Sequence, residues 1–465
     1  MKLLYLCCFG IFLIFAALMY YNRKIALTTL GCKLNYSETS AIGRTLTDNG
    51  YQKVEFSERA DYYVINTCSV TENADKQTKQ IVKTALRTNP DAKVIVIGCY
   101  AQLKPQEIAS IPGVSMVLGA NEKFKLHEYL DKLEESVGPI VLNGSIDDVA
   151  FYSDAYSSEI GRTRTFLKVQ DGCDYMCSFC TIPLARGKSR SNSIAKTVEL
   201  AKKVATTGVK EVVLTGVNIG DYGKTPDGNE RTNEDFFGLI QELEKIEGVE
   251  RWRISSIEPN LLTDEIIEFV SRSEKFMPHF HIPLQSGSDR ILKYMRRKYL
   301  TPLYSERVAT IKRLMPHCCI GVDVIVGFPG ETEEEFKATY DFINSLDVSY
   351  LHVFTYSERA NTKALNLSPI VPVAERKKRN EMLRILSEKK KRAFYEQHLH
   401  TERKVLWEME NDEGTMYGFT DNYIKVGTRY DEALTKTSGV VSLSDIAKSG
   451  YVKVKYSDEM VEVVL

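Results

Sequence analysis

Three cysteines in Asp171-Gly-Cys-Asp-Tyr-Met-Cys-Ser-Phe-Cys180 constrain this chain more than any other stretch. Cys173, Cys177 and Cys180 follow a C-x3-C-x2-C spacing. Thiolate is the usual protein ligand of iron–sulfur clusters. Three thiolates this close can hold three irons of a cubane and leave a fourth open to a small molecule. A structural zinc site is normally closed by a fourth Cys or His, and the next downstream is the distant His279. A zinc knuckle or three structural thiols is the competing reading, and the spacing favours the cluster. A strand-like segment, Thr165–Gln170, runs straight into this loop.

The rest of the chain alternates strand-like and helix-like patterns. Ile25–Leu30, Tyr62–Asn66 and Lys93–Gly98 read as strands. Glu38–Asn49, Ala74–Thr88, Pro105–Ser110 and Asn121–Leu133 read as helices. Such alternation predicts a doubly wound α/β domain, placed over residues 24–137. Residues 134–162 lack periodicity and contain Gly, Ser and Asp, so 138–162 is expected to be a linker. Beyond it, strands are expected at Thr165–Gln170, Glu211–Thr215, Arg251–Ser255, His279–Pro283, Gly321–Val326 and Tyr350–Phe354. Helical patterns separate them, giving about six β/α units whose active site would lie at the strands' carboxyl ends. Glu375–Lys404 is a basic helix, after which five short strand patterns predict a small β-barrel over 401–465.

A second set of cysteines has the same local placement. Cys32, Cys68 and Cys99 each sit just past a strand, where open α/β sheets form their binding crevice. Three loops can therefore bring three thiolates to one point. Helices after the first two would aim backbone N–H groups at an anionic cluster. Three unrelated, half-buried cysteines remain the alternative, since free Cys is often buried.

Composition narrows the setting. The 465 residues are 43% hydrophobic and 26% charged, ordinary for a globular chain of two to four domains. The net charge of −1 restricts any nucleic-acid surface to a local patch. Ten cysteines in a chain this long do not suggest a disulfide scaffold, and with the cluster motif they point to the reducing cytoplasm. Leu3–Tyr21 is uncharged and long enough to span a bilayer. Residues 1–23 are read as an apolar extension. An over-extended start, with Met19 as the natural one, is favoured because a strand begins directly after Lys24. An N-terminal anchor is the alternative, which leaves membrane contact open.

The Cys173–Cys180 motif, with Phe179 before its last cysteine, resembles that of radical S-adenosylmethionine (SAM) enzymes. Thr29-Leu-Gly-Cys-Lys-Leu-Asn35, Asn66-Thr-Cys-Ser-Val-Thr-Glu-Asn-Ala-Asp75 and Gly98-Cys-Tyr-Ala-Gln102 resemble the N-terminal domain of radical SAM methylthiotransferases, as does Val169-Gln-Asp-Gly-Cys173 through Gly187. The first two motifs resemble the MtaB branch. This resemblance implies two 4Fe–4S clusters, one on Cys173, Cys177 and Cys180 and an auxiliary one on Cys32, Cys68 and Cys99. It implies a partial (β/α)6 barrel over 163–400 and a terminal barrel similar to the RNA-binding TRAM domain. It implies that SAM chelates the open iron, with Phe179 near its adenine, and yields a 5′-deoxyadenosyl radical. The implied reaction methylthiolates carbon two of threonylcarbamoyladenosine in tRNA, consuming two SAM molecules. The expected partners are tRNA and a reductant such as flavodoxin or ferredoxin; the chain is expected to be a monomer, and the sulfur donor is left undetermined. Isopentenyladenosine tRNA or a ribosomal protein is the alternative substrate. A noncatalytic iron–sulfur RNA-binding protein is the alternative from another class.

Loops at the expected catalytic edge supply further candidates for SAM or substrate contact: Gly216, Glu258, Gln285 and Gly327. Arg186 is read either as an anion contact or as a structural arginine. Cys318 and Cys319 are expected to pack, and His352 to be a core or supporting residue rather than a ligand. The basic helix, with Arg376, Arg379, Arg384 and Lys389 among its cations, and the aromatics Tyr417, Phe419 and Tyr423 are candidate RNA contacts, against a solvated helix and a filled barrel. Thr355-Tyr-Ser-Glu-Arg-Ala-Asn361 departs from the Pro-Tyr-Ser-Pro-Arg that the resemblance leads one to expect.

Overall fold

The computed structural model describes residues 23–69, 72–149, 151–157, 163–447 and 450–456. The apolar run Leu3–Tyr21 lies outside them, and no described helix is long and apolar enough to cross a membrane. The chain forms two units, Met1–Ser157 with Thr181–Lys188, and Ser158–Cys180 with Ser189–Leu465.

The first unit runs β1 (Lys24–Thr29), α1 (Lys33–Asp48), β2 (Gln52–Val54), β3 (Tyr62–Thr67), α2 (Glu72–Thr88), β4 (Lys93–Gly98), α3 (Cys99–Leu103), α4 (Pro105–Ala109), β5 (Val114–Leu118), α5 (Leu126–Glu135) and β6 (Ile140–Leu142). The later segment Thr181–Lys188 adds α6 (Ile182–Arg186). All strands are parallel, in the order β2-β1-β3-β4-β5-β6. Every residue of β3 is buried, as a strand covered on both faces requires. Its apolar side chains and those of β4 feed two cores, one around Tyr63, Ile65, Val94 and Val96 and one around Tyr62, Val64, Ile95 and Ile97.

Four sequence expectations need correction here. Strand β6 lies inside the stretch expected as a linker, so this unit extends past residue 137. Strands β2 and β5 were not anticipated: β2 is three residues with little burial, whereas β5 is a mostly buried run as long as strands that were expected, and its pattern was passed over. Helix α1 starts at Lys33 rather than Glu38, because its first turns bury polar Asn35, Ser37 and Glu38 in place of an apolar stripe. A further helix, α3, begins at Cys99 itself.

The second unit opens with β7 (Arg164–Lys168), followed by α7 (Ile194–Ala205), β8 (Glu211–Thr215), α8 (Phe236–Glu244), β9 (Arg251–Ile254), α9 (Asp264–Arg272), β10 (His279–His281), α10 (Asp289–Tyr294), α11 (Thr301–Leu314), β11 (Cys319–Val326), α12 (Glu333–Ser345) and β12 (Tyr350–Thr355). The strands pair in parallel as β7-β8-β9 and β10-β11-β12, and parallel bridges Trp252–Phe276 and Ser256–His281 join the two sets. The result is a partial (β/α)6 barrel with its strands in sequence order. Local signals fix the helix starts: Thr332 and Glu335 form a reciprocal capping box on α12, whose first turn is acidic.

Helix α13 (Val373–Glu396) covers edge strand β12; Ser387 bonds both the N–H and the carbonyl of Leu351. It ends at Glu396 rather than Lys404, because the chain turns through His400 (φ +64°) into β13 (Glu402–Asp412). Strands β14 (Thr415–Thr420), β15 (Lys425–Arg429), β16 (Ser438–Ile446) and β17 (Val452–Tyr456) close a barrel in the order β13-β14-β15-β17-β16. Val405, Trp407, Met416, Val426, Val441 and Leu443 fill it.

This small barrel packs against the starting ends of the parallel strands. Arg251 donates to the carbonyls of Phe419 (3.0 Å) and Lys404 (2.7 Å), Arg253 donates to that of Asp421 (3.3 Å), and Arg164 pairs with Glu408. Buried Glu211 pairs with Arg253 at 3.0 Å. Tyr423 lies 4.4 Å from the His279 ring, and Phe419 lies under Arg164. Phe419 and Tyr423 are thus docking residues rather than an open stacking platform. Tyr417, two residues before Phe419 on the same outward face of β14, instead meets Lys425, whose ammonium lies 3.7 Å from its ring centre, and Tyr451. The opposite, carboxyl-end rim carries the Cys173 loop.

Candidate metal centres

In the first unit, Cys32, Cys68 and Cys99 follow β1, β3 and β4, which are adjacent in the sheet. The strand order reverses between β1 and β3, the switch point where open α/β sheets bind ligands. Two glycines let the loops close up. Gly31 (φ +100°) precedes Cys32, and a Cβ there would stand 2.6 Å from Cβ of Cys68. Gly98 (φ +99°) precedes Cys99, and a Cβ there would stand 2.5 Å from the Thr67 carbonyl. Asn35 then laces the loops together, donating to the carbonyls of Leu30 (2.9 Å) and Thr67 (3.0 Å), while Asn66 donates back to Asn35 O (3.0 Å). Beneath them, fully buried Glu38 accepts from both ends of the Arg186 guanidinium (3.0 and 3.1 Å) and from Lys123 (2.6 Å). Arg186 also donates to Asn35 at 2.5 Å, so of its two readings the structural one holds. Burial pushes the Cys99 thiol up, and the Arg186 and Lys123 cations partly counter it.

In the second unit, the Cys173–Cys180 loop leaves β7 through Gln170. Its side chain accepts from the N–H groups of Val217 (3.0 Å) and Asn218 (2.8 Å) and donates to the carbonyl of Gly172 (2.8 Å), tying the loop after β8 to the cysteine loop. Asp171 sits between Lys168 (2.8 Å) and Arg190 (3.0 Å). Two sulfurs receive N–H donors: Cys173 from Tyr175 N (3.4 Å) and Cys177 from Arg297 (3.1 Å). Burial pushes the Cys173 thiol up to about 12 and that of Cys177 upward despite Arg297.

The comparisons with known proteins add the family. Residues 24–119 match the description "Uncharacterized protein family UPF0004" and residues 167–343 match "Radical SAM superfamily". The chain is 40% identical, over 92% of its length and 94% of the relative's, to threonylcarbamoyladenosine tRNA methylthiotransferase MtaB of Bacillus subtilis. It is 40% identical to the MtaB of Aquifex aeolicus over 87% of its length and 96% of the relative's. The chain belongs to the MtaB family of radical SAM methylthiotransferases. A member of a second branch, tRNA-2-methylthio-N(6)-dimethylallyladenosine synthase of Roseobacter denitrificans, is 34% identical over 76% of this chain and 80% of the relative. Among solved structures, the radical SAM methyltransferase TsrM of Kitasatospora setae shares the fold, with a TM-score of 0.53 and 14% identity over 71% of this chain and 73% of that one.

Membership of the MtaB family brings SAM and 4Fe–4S clusters, and the donor set, two groups of three thiols, one on adjoining loops and one within a single loop, is the chemistry such clusters take. Among the described residues, only His281, Asp323 and His352 bring three potential ligand atoms within 4.8 Å of one another; neither cysteine triad does. A tetrahedral ion with ligands at about 2.3 Å would need sulfurs about 3.8 Å apart. Both triads are too open for one such ion. Within the group of His281, Asp323 and His352, His281 is hydrogen-bonded to Asp323 and to Ser256 at 2.8 Å each, and the His352 ring meets it edge-on at 5.3 Å. His352 is exposed, which removes the core half of its expected role and leaves the supporting one, beside His281.

The other expected MtaB site residues fall in different places. Phe179 packs edge-on against Phe328, the residue after Gly327, at 6.4 Å. Gly216 opens the loop held by Gln170, and Glu258 is paired with Arg297. Gln285 stands at φ +68°, its backbone bonded to Asp323 and Ile325 rather than to the cysteine loop. Gly327 N donates to Glu331 at 2.7 Å, and Arg379 holds that carboxylate. Cys318 and Cys319 are buried, as packing residues. Sequence reasoning missed Arg297, Gln170 and Asn218. The carboxamide of Asn218 is buried with neither its nitrogen nor its oxygen bonded among the described residues, the mark of a place awaiting ligand or water.

Proposed function

We propose that this chain methylthiolates carbon two of threonylcarbamoyladenosine next to the anticodon of tRNA, using two SAM molecules and two 4Fe–4S clusters. The observation that carries this reading is the pairing of two open cysteine triads, each at the carboxyl ends of parallel strands, in a chain 40% identical to MtaB relatives over most of its length. Cys173, Cys177 and Cys180 would hold the SAM-binding cluster, and Cys32, Cys68 and Cys99 the auxiliary one. When bound, these groups supply a carbon-centred radical and the sulfur, chemistry that acid–base side chains cannot provide at an adenine C–H bond.

The chain's own contribution is placement and charge. Gln170 fixes the cysteine loop against the β8 loop, and the donors Tyr175 N and Arg297 offset negative charge on sulfur. Phe179, Gly216, Glu258, Gln285 and Gly327 are assigned to the SAM and substrate rim, with Asn218 added for its unpaired carboxamide. Phosphate contacts are assigned to a groove of about 980 Å³ between β12 and α13, whose cations include Lys377, Arg384, Lys389 and Arg392. Arg376 and Arg379 do not belong to it: both are buried, on Glu358 and Glu331. Of the three aromatics read as RNA contacts, Tyr417 is the one assigned to a base. A flavodoxin or ferredoxin as reductant, a monomeric state and a cytoplasmic location complete the reading.

Anaerobic reconstitution tests it. The protein should bind about eight irons, as two 4Fe–4S clusters require, and convert threonylcarbamoyladenosine tRNA to its methylthio form with release of 5′-deoxyadenosine. Turnover confined to isopentenyladenosine tRNA would transfer the chain to another substrate, and failure to cleave SAM would remove the enzyme reading.

A further inference from the structure

Arg297 lies just beyond α10, and its side chain is only 4% exposed. Its guanidinium is divided among three partners. One nitrogen, Nη1, donates to Cys177 Sγ at 3.1 Å; Nη2 donates to the Glu258 carboxylate; Nε donates to the Tyr299 hydroxyl at 3.1 Å. Tyr299 is fixed in turn, donating to the carbonyls of Pro283 (2.6 Å) and Leu284 (2.9 Å), and its ring lies 5.0 Å from the guanidinium carbon. Glu258 alone would neutralise this buried arginine. Thiol sulfur is a weak acceptor and satisfies the Nη1 N–H poorly, whereas a thiolate would satisfy it well. The arm on sulfur answers a need of the sulfur, if that sulfur carries negative charge.

We propose that Arg297 is a positioning residue that raises the reduction potential of the cluster on Cys173, Cys177 and Cys180 through its hydrogen bond to Cys177, with Glu258 setting how much of its charge the cluster feels. The inference rests on the ligand assignment made above. Cluster potentials are set by net charge, by hydrogen bonds to the sulfurs and by exposure. One electron enters from the external reductant, and no bond breaks and no proton moves. The added negative charge spreads over the ligand sulfurs, where the N–H and the positive charge stabilise the reduced form. A carboxylate beside the same guanidinium works the other way. The two side chains therefore oppose each other at one sulfur, and their removal should shift the potential in opposite directions.

The test is an anaerobic potentiometric titration of the reconstituted full-length enzyme without SAM, followed by electron paramagnetic resonance. The relevant signal is identified in a parallel sample as the one that changes on adding SAM. R297Q should lower the midpoint potential by about a tenfold change in the one-electron equilibrium, about 59 mV, and E258Q should raise it. R297K, which keeps charge but loses the planar fork, should fall in between. Potentials of R297Q and E258Q that match the wild type, or that move in the same direction, overturn the inference. If R297Q no longer holds the cluster, a wild-type potential in R297K overturns it and a lowered one supports it. Failure of the ligand assignment reads out separately, as a SAM-responsive signal that survives Cys177→Ala.

Discussion

Glu38 is fully buried, and two cations, Arg186 and Lys123, depend on its carboxylate. Breaking a buried ion pair leaves an uncompensated charge and costs about 3–5 kcal/mol. Glu38→Gln should therefore destabilise the apo protein by about that amount, read as a lower denaturant midpoint, and should lower iron content because Asn35 and the Cys32 and Cys68 loops lose their footing. Wild-type stability in this variant would contradict the network. The cysteines themselves separate by task. Cys173→Ala should abolish SAM cleavage. Cys68→Ala should retain part of that cleavage and lose sulfur insertion, measured as 5′-deoxyadenosine without methylthio nucleoside. Normal methylthiolation by Cys68→Ala would end the two-cluster reading. At this scale the cysteines were legible, because thiols at such spacings have few other uses. The partners were not: Glu38 meets Arg186 across 148 residues of chain and Arg297 meets Cys177 across 120, and nothing local marks either pair.

At the scale of elements, the starts of β7, β8 and β9 carry Arg164, Glu211, Arg251 and Arg253. Burial alone would raise the Glu211 carboxyl, but Arg253, Arg164 and Arg251 hold it down to about 2. A carboxyl with a depressed folded pKa contributes stability that is present above its unfolded value, about 4.3, and is lost as pH falls through the folded value. Unfolding free energy should thus decline between about pH 4.5 and pH 2. Glu211→Gln should remove that decline along with about 3–5 kcal/mol at neutral pH. An unchanged acid profile would show that the small barrel does not depend on this carboxylate. Helix α13 makes a second prediction. Replacing exposed Lys377, Arg384 and Lys389 with Gln should weaken tRNA binding and lower the slope of log K against log salt by about 0.7–0.9 for each phosphate no longer neutralised, with stability unchanged. Replacing buried Arg376 should do the reverse. The basic stretch was visible in composition, but which of its cations face inward depends on Glu331 and Glu358, which lie in loops outside the helix.

For the whole molecule, the long apolar strands and amphipathic helices were readable from periodicity, and the six barrel strands fell close to their expected places. Of the strands that escaped, β2 and β6 are three residues each at sheet edges with little burial to impose a pattern, whereas β5 carries as much burial and length as strands that were found. The fate of Phe419 and Tyr423 was unreadable for a different reason. An aromatic in a small barrel looks the same in sequence whether it faces RNA or a row of arginines, and only the packing of one barrel on the other's strand starts decides it. The central claim concerns the product. Nucleoside mass analysis of tRNA from a strain lacking this chain, and holding no second enzyme of the same activity, should show the methylthio-threonylcarbamoyladenosine peak gone and the unmodified threonylcarbamoyladenosine increased, with both restored on re-expression. A methylthio-threonylcarbamoyladenosine peak of wild-type height in that strain would contradict the account.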